Sequence, residues 1–166
     1  MGRPISPLGS NGRLFITDEY GNARILGYSS DGTKVKQWGR PGTGPGEFNL
    51  PHAIQIDEKG TIYVADRENG RIEKFDLDGN FLGEIPQLGR IYSLKLVGNV
   101  LWAGREPFNE NRVLDPGGWS SSDRSTGKML GNFDVPEACA EHSIEQMPTG
   151  EPIITSGNEL LRFMAN

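Results

Sequence analysis

Apolar and polar residues alternate in short runs along the middle of the chain, and tight turns separate the runs. Four runs are predicted to be strands, at residues 53–57, 61–65, 71–76 and 81–85. The turns between them contain Lys59-Gly60, Asn69-Gly70 and Asp78-Gly79. Glycine supplies the positive φ that tight hairpins need, and a period of two is typical of a half-buried antiparallel sheet. Four strands in about 40 residues predict one blade of a β-propeller.

The same unit occurs earlier in the chain. Residues 16–32 align with residues 64–79 at a spacing of 47 to 48 residues. Three pairs correspond: Asp18 with Asp66, Arg24 with Arg71, and Asp31 with Asp78. Because they repeat, we predict structural roles for the first two pairs. The aspartates would end a strand and cap the following turn through backbone N–H groups, and the arginines would tie adjacent strands or blades together.

The fold class predicted for the whole chain is all-β, a single β-propeller domain over residues 1–166 with about 3.5–4 four-stranded blades. The blades are expected at approximately 1–40, 46–86, 90–133 and 142–166. In blade three, strands at 91–98 and 100–106 precede a long polar loop at 108–127 and an outer strand at 129–133. Since closed propellers have four to eight blades, three interpretations stay open. The chain is an arc of a longer protein, half of a ring completed by a second copy, or a small four-bladed ring.

Composition and charge narrow the function classes. The 166 residues include 23 glycines and 11 prolines, as expected of a turn-rich β protein. A net charge of −5 disfavours a nucleic-acid surface that neutralises phosphates. Cys139 is the single cysteine, so it cannot form a disulfide within the chain. No apolar run is long enough for a signal peptide or a membrane span, so we expect a cytoplasmic protein without membrane contact.

The two histidines of the sequence occupy matching positions. His52 and His142 are 90 residues apart, about two blades, and each stands eight residues before a glycine. At the head of an innermost strand, both would lie at one mouth of the central channel, where two imidazoles suit Zn²⁺. A third ligand would come from an acid, a second copy or further sequence, and three acids lie nearby in sequence: Asp57, Glu137 and Glu141. The alternative is that each histidine is a polar residue bonded to backbone.

Two loop residues do not repeat between the blades. Tyr20 and Arg67 lie in turns expected on the same side of the ring as the histidines. Loops on a rigid scaffold commonly carry function. A tyrosine hydroxyl beside a metal can serve as a base, and an arginine can hold a carboxylate through two hydrogen bonds. The alternative is that both are ordinary surface residues.

Several segments resemble NHL repeats and, more specifically, the lyase domain of peptidylglycine α-amidating enzymes. The resemblance rests on DEYGNARI (18–25), GEFNLPHAI (46–54), VADRENGRI (64–72) and the segment around His142. That family implies a six-bladed propeller that cleaves peptidyl-α-hydroxyglycine to the peptide amide and glyoxylate. The match covers about residues 11–163 and is strongest over 16–75.

The resemblance also implies roles for individual residues. His52 and His142 match zinc-binding histidines of the family, Tyr20 its catalytic tyrosine, and Arg67 an arginine that engages the substrate. The family's third zinc histidine and second active-site arginine would lie before Met1 and have no counterpart here. Ser143 stands where the family has a calcium-binding aspartate, so we do not expect calcium.

Two function classes follow from these observations. The first is a zinc-dependent, lyase-like propeller that takes a peptide substrate and is incomplete as a single chain, with a homodimer as one way to complete it. The second is a non-catalytic NHL propeller that binds a protein partner. RNA binding, which some NHL domains perform, is the least favoured because of the acidic balance.

Overall fold

The computed structural model describes residues 12–86, 88–106, 117–134, 143–146, 152–156 and 159–162. Among these residues no helix is long and apolar enough to cross a membrane. Strands and the turns between them account for the architecture of the described ranges. The strands are β1 (Leu14–Asp18), β2 (Arg24–Tyr28), β3 (Lys34–Trp38), β4 (Arg40–Pro41), β5 (Glu47–Phe48), β6 (Pro51–Ile56), β7 (Ile62–Asp66), β8 (Arg71–Phe75), β9 (Phe81–Ile85), β10 (Arg90–Val97), β11 (Val100–Glu106), β12 (Gly118–Asp123), β13 (Met129–Asp134), β14 (Ser143–Gln146), β15 (Pro152–Ser156) and β16 (Glu159–Arg162).

The strands form successive antiparallel sheets in chain order. The sheets are β1–β3, β6–β9, β10–β13 and β14–β16, and the short parallel pair β4–β5 lies between the first two. The first strand of each sheet contacts the first strand of the next, in the order β1, β6, β10, β14. This places the sheets side by side in chain order, which is the arrangement of propeller blades. The predicted all-β propeller is confirmed; within the described ranges two sheets have four strands and two have three.

The prediction of a long polar loop at residues 108–127 was wrong. Strand β12 runs through it and pairs with both β11 and β13. Its sequence, GWSSSD, lacks apolar alternation because Trp119 and the three following serines are all buried. Small hydroxyl side chains fit a strand that is covered on both faces, and they leave no period-two signal. Residues 1–11, at the start of predicted blade one, and residues 135–142, before predicted strands of blade four, lie outside the described residues.

Apolar side chains fill the spaces between neighbouring blades. Between blades one and two, Phe15, Phe48 and Phe75 are each at most 1% exposed. Trp38 bridges them, with ring centroids 5.8 Å from Phe15 and 5.7 Å from Phe75. A second cluster lies between blades two and three and includes Ala53, Tyr63, Ile72, Ile91, Leu94 and Leu101. These two layers hold β1 and the first strands of blades two and three, β6 and β10, in fixed positions, and the candidate site lies at their ends.

Arg71 is the centre of a buried ion-pair network in blade two. Its Nε donates to Asp66 Oδ2 at 2.9 Å. Its Nη2 donates to the carbonyl oxygens of Gly44 and Glu47 at 2.9 and 2.8 Å, and Nη1 donates to Glu84 at 3.0 Å. Blade one has the matching pair, Arg24 Nε to Asp18 Oδ2 at 2.9 Å. The prediction that the repeated arginines tie strands and blades together is confirmed.

The partners of the repeated aspartates differ from the prediction. Asp66 was expected to accept backbone N–H groups of the turn that follows it. Instead, its Oδ1 accepts the N–H of Asn49, in the loop before the blade, and its Oδ2 accepts the Asn69 side chain. In blade one the Asn22 side chain donates to Asp18 in the same way. The aspartate therefore binds the preceding interblade loop as well as its own turn.

Two glycines of similar backbone conformation allow a test of the interblade packing. Gly39 has φ 100° and Gly21 has φ 104°. A Cβ at Gly39 would lie 2.7 Å from the Phe48 ring and 2.9 Å from the Ala23 carbonyl oxygen, whereas one at Gly21 would meet nothing within 4 Å. Both substitutions to alanine incur backbone strain of about 1–2 kcal/mol, and Gly39→Ala adds an overpacking cost of roughly 1–3 kcal/mol.

We therefore expect Gly39→Ala to lower the free energy of unfolding clearly more than Gly21→Ala does. Urea unfolding followed by tryptophan fluorescence measures both. Equal losses would mean that the Phe48 ring moves aside without cost.

Candidate functional site

His52 lies at the start of inner strand β6, and a hydrogen bond to the neighbouring blade orients its ring. Nδ1 bonds the backbone carbonyl oxygen of Tyr92, on inner strand β10, at 2.8 Å. A carbonyl oxygen only accepts, so Nδ1 carries the proton and the lone pair of the neutral ring is on Nε2. Histidines that bind metal through one nitrogen commonly donate the other N–H to a carbonyl in this way. The ring of His52 therefore fits a metal ligand.

Both residues of this contact lie at β-bulges. The register of β6 against β7 shifts between Pro51 and Ala53, so His52 has no residue opposite it. The register of β10 against β11 shifts between Ile91 and Ser93, which places Tyr92 in the same situation one blade further on. A bulge redirects its extra side chain out of the regular alternation. The two bulges aim His52 and Tyr92 towards each other, with ring centroids 5.4 Å apart.

Arg67 reaches the same tyrosine from the turn after β7. Its Nη2 donates to Tyr92 Oη at 2.6 Å, and its Nε lies 3.3 Å from the Glu68 carboxylate. The Tyr92 hydroxyl donates in turn to Glu106 at 2.8 Å. Burial, reinforced by that bond to Glu106, raises the pKa of Tyr92 to about 12. Tyr92 therefore keeps its proton at neutral pH and holds Arg67 in place as a neutral phenol.

Glu19 is a site residue that sequence analysis did not identify. It follows β1, is 7% exposed, and places Oε2 3.8 Å from His52 Nε2. Burial raises the pKa of Glu19 to about 7, and the charge of Arg67 partly opposes the shift. One signal was available in the repeat. Glu19 directly follows Asp18, at the position that Arg67 takes after Asp66.

The structure brings together two of the four predicted site residues. His52 and Arg67 converge on Tyr92, while Tyr20 lies in the turn next to Glu19 with 59% of its surface exposed. His142 lies outside the described residues. We name Glu19, His52, Arg67 and Tyr92 the site cluster.

Among the acids considered as third ligands, Asp57 does not belong to this site. It stands at the opposite end of β6 from His52, about 16 Å away at the usual rise of a strand. Its carboxylate accepts the N–H groups of Lys59 and Thr61 and so shapes a hairpin. Glu137 and Glu141 lie outside the described residues. Within the described ranges no three His, Cys, Asp or Glu residues form a group that could hold a metal ion.

Comparison with known proteins gives the family context. Residues 8–88 match the family model described as "6-bladed beta-propeller". This chain has the β-propeller fold. It resembles NHL propellers and the lyase domain of the peptidylglycine amidating enzymes, as the following relatives show.

Three curated relatives of the propeller illustrate the resemblance. Peptidyl-glycine alpha-amidating monooxygenase A of Xenopus laevis is 37% identical over 102 residues, covering 55% of this chain and 11% of the relative. Peptidyl-alpha-hydroxyglycine alpha-amidating lyase 1 of Drosophila melanogaster is 34% identical over 103 residues, covering 56% and 18%. NHL repeat-containing protein 3 of Homo sapiens is 43% identical over 75 residues, covering 43% and 22%. The propeller chain thus spans less than a quarter of the length of each.

Solved structures agree on the fold of the propeller. A hydrazine synthase of Kuenenia stuttgartiensis superposes with a TM-score of 0.73 at 13% identity, covering 93% of this chain and 44% of that one. A streptogramin B lyase superposes with a TM-score of 0.69 at 17% identity, covering 99% and 55%. At these identities the likeness concerns the fold alone.

Proposed function

We propose that this propeller binds Zn²⁺ at His52 and cleaves peptidyl-α-hydroxyglycine to a peptide amide and glyoxylate. One observation carries the proposal. His52 and Arg67, which lie in different strands and turns, are both anchored on Tyr92, at 2.8 and 2.6 Å. Similarity to a lyase that acts on peptidyl-α-hydroxyglycine supports the choice of substrate.

Each residue of the site has a task in that reaction. A zinc ion, when bound, would polarise the substrate's hydroxyl or carbonyl oxygen. Arg67 would hold the substrate carboxylate through its guanidinium, whose Nη2 contacts Tyr92 and whose Nε contacts Glu68. Because Tyr92 and Glu68 fix the guanidinium, the substrate would be oriented without further ordering of Arg67.

Tyr20 would take part in the proton transfer. In its deprotonated form, Tyr20 would receive the proton of the substrate hydroxyl as the C–O bond becomes the C=O bond of glyoxylate. The C–N bond breaks, and nitrogen keeps the electron pair and gains one proton, which gives the amide. The reaction moves one proton from oxygen to nitrogen and needs no oxidant. The exposure of Tyr20 leaves its hydroxyl accessible to a substrate.

Tyr20→Phe is expected to lower glyoxylate release from a peptidyl-α-hydroxyglycine substrate by roughly 10²- to 10⁴-fold, the usual effect of a general acid–base group. Folding should be unchanged, because the lost hydroxyl is on the surface. The matched control is Tyr28→Phe, the same chemical change in the same hairpin, which should keep full turnover. Unchanged turnover in Tyr20→Phe would exclude its role as the base.

Molar mass and zinc content, measured on the same sample, test the metal site. We expect zinc in the purified chain and its loss in His52→Ala. A zinc-loaded dimer would indicate that a second copy completes the ligand set. Zinc retained in His52→Ala would contradict the proposed site.

A second candidate function, protein binding, is favoured by a different observation. Apolar side chains are exposed on the outermost described strands of three blades: Val35, Leu82 and Leu130. Similarity to NHL repeat-containing protein 3 fits a propeller that acts as an interaction module. A chain that binds no zinc and releases no glyoxylate would favour this function over the lyase.

A further inference from the structure

A cleft with a volume of about 630 Å³ lies between blades two and three. Ligand pockets in proteins commonly measure about 300–1,000 Å³. One wall belongs to blade two and the segment after it, and includes Glu84 and Leu88. The opposite wall belongs to blade three, and includes Ser120, Met129 and Asn132. None of these residues belongs to the site cluster, so the cleft is a separate space.

The cleft adjoins the site cluster along three chain segments. The neighbours of three lining residues are Glu68, Arg90 and Glu106, which form a rim between the two spaces. Glu68 lies 3.3 Å from Arg67 Nε and 3.1 Å from Arg90 Nε. Glu106 accepts the Tyr92 hydroxyl at 2.8 Å. A ligand held at Arg67 therefore needs to pass only this rim to enter the cleft. The three lining residues are Asn69, Gly89 and Arg105.

The surface of the cleft suits a peptide that carries apolar side chains. Pro86, Leu88 and Met129 supply apolar surface, and Met129 is 46% exposed. Methionine adapts its shape to different partners because its side chain is unbranched and polarizable. Asn132 is also exposed, and its amide offers both donors and an acceptor, as a peptide bond does. A peptide could therefore bury apolar side chains in the cleft while its backbone bonds Asn132.

The charged groups of the two walls already have partners within the protein. Nη1 of Arg71 donates to Glu84 at 3.0 Å. Nε of Arg105 donates to Ser120 Oγ at 2.8 Å. Since these groups are bonded to each other across or along the walls, we expect apolar surface, and not charge, to distinguish one ligand from another.

We propose that this cleft binds the residues that precede the hydroxyglycine of a peptide substrate, and that it prefers apolar side chains there. An extended peptide advances about 3.3–3.6 Å per residue. With the terminal carboxylate held at Arg67, the preceding residues pass the rim and enter the cleft. The inference rests on the lyase function proposed above, and it names the class of peptide that the site takes.

Peptide binding tests the inference without an activity assay. The probes are two peptides labelled with fluorescein at the N-terminus, Leu-Phe-Gly and Ser-Asn-Gly, which lack the hydroxyl group and so are not cleaved. Fluorescence anisotropy should show at least about tenfold tighter binding of Leu-Phe-Gly, the gain expected from burying one large apolar side chain. Met129→Asp places a charge on the apolar surface and should remove most of this preference.

The matched control is Leu130→Asp. Leu130 is the next residue of the outer strand β13 and is 55% exposed, but it lies outside the cleft. The same charge at this position should leave the preference for Leu-Phe-Gly unchanged.

The outcomes separate the cleft from the lyase function. Equal affinity for the two peptides, binding of neither peptide, or an equal effect of Met129→Asp and Leu130→Asp would overturn the inference. If Met129→Asp does not fold, Asn132→Ala replaces it and should weaken binding of both peptides; unchanged binding would overturn the inference. A preference that depends on Met129, without glyoxylate release from a peptidyl-α-hydroxyglycine, contradicts only the lyase function. Glyoxylate release without the preference contradicts only the role of the cleft.

Discussion

Arg71→Met should lower the free energy of unfolding by about 3–5 kcal/mol, the usual cost of removing one partner from a buried ion pair. The Arg71 side chain is 10% exposed, and it neutralises Asp66 and Glu73, whose side chains are fully buried. Methionine fills much of the same volume but leaves both carboxylates without their cation. It also frees the carbonyl oxygens of Gly44 and Glu47 in the interblade loop. Urea unfolding at pH 7 measures the loss.

The matched control is Arg24→Met in blade one. Arg24 makes the equivalent bond to Asp18, but its side chain is 36% exposed. Solvent can reach the pair, and Asn22 still donates to Asp18 after the substitution. We expect a loss of roughly 1–2 kcal/mol. Similar losses at both positions would show that burial does not determine the strength of the repeated pair.

Phe48→Ala should be destabilising to a similar extent, by about 3–5 kcal/mol. Phe48 belongs to the short strand β5 that joins blades one and two, and its side chain is fully buried. Its ring lies 5.8 Å from the ring of Phe75 and covers Gly39. Truncation opens a cavity between two blades, in a layer that the surrounding strands cannot close without breaking their pairing.

Phe81→Ala is the control for this prediction. Phe81 also contacts the Phe75 ring, at 5.9 Å, but it is 39% exposed on the outer strand β9. The same change of residue type there removes less buried surface, so the loss should stay below about 1.5 kcal/mol. Thermal unfolding followed by circular dichroism measures both variants. A loss at Phe81 as large as that at Phe48 would contradict the assignment of the core to the interblade layer.

The sequence predicted the strands of blades one and two well because apolar residues recur within them and Gly-containing turns separate them. Strand β12 was not predicted, since its buried serines give no apolar pattern. Its only sequence signal is Trp119, an aromatic residue inside a polar stretch. Tertiary packing, not local preference, determines that strand.

The residues of the candidate site were likewise predicted only in part. The sequence marked His52 because the two histidines occupy matching positions. It marked Arg67 because the turn that contains it differs between the two repeats. Tyr92 carried no comparable signal, and Glu19 had only its position after Asp18 in the repeat, because the importance of both residues comes from contacts across blades. The bulges that turn His52 and Tyr92 towards each other depend on pairing with β7 and β11, which alternation alone does not reveal.

The network around Arg71 and Asp66 joins blade two to the loop that precedes it. Asp66 binds Asn49, and Arg71 binds the loop carbonyls of Gly44 and Glu47, so loop and blade form one self-contained module. Gene duplication or deletion in steps of one such module would keep these hydrogen bonds together. A chain break between this loop and its own blade would instead separate Arg71 and Asp66 from their partners in the loop.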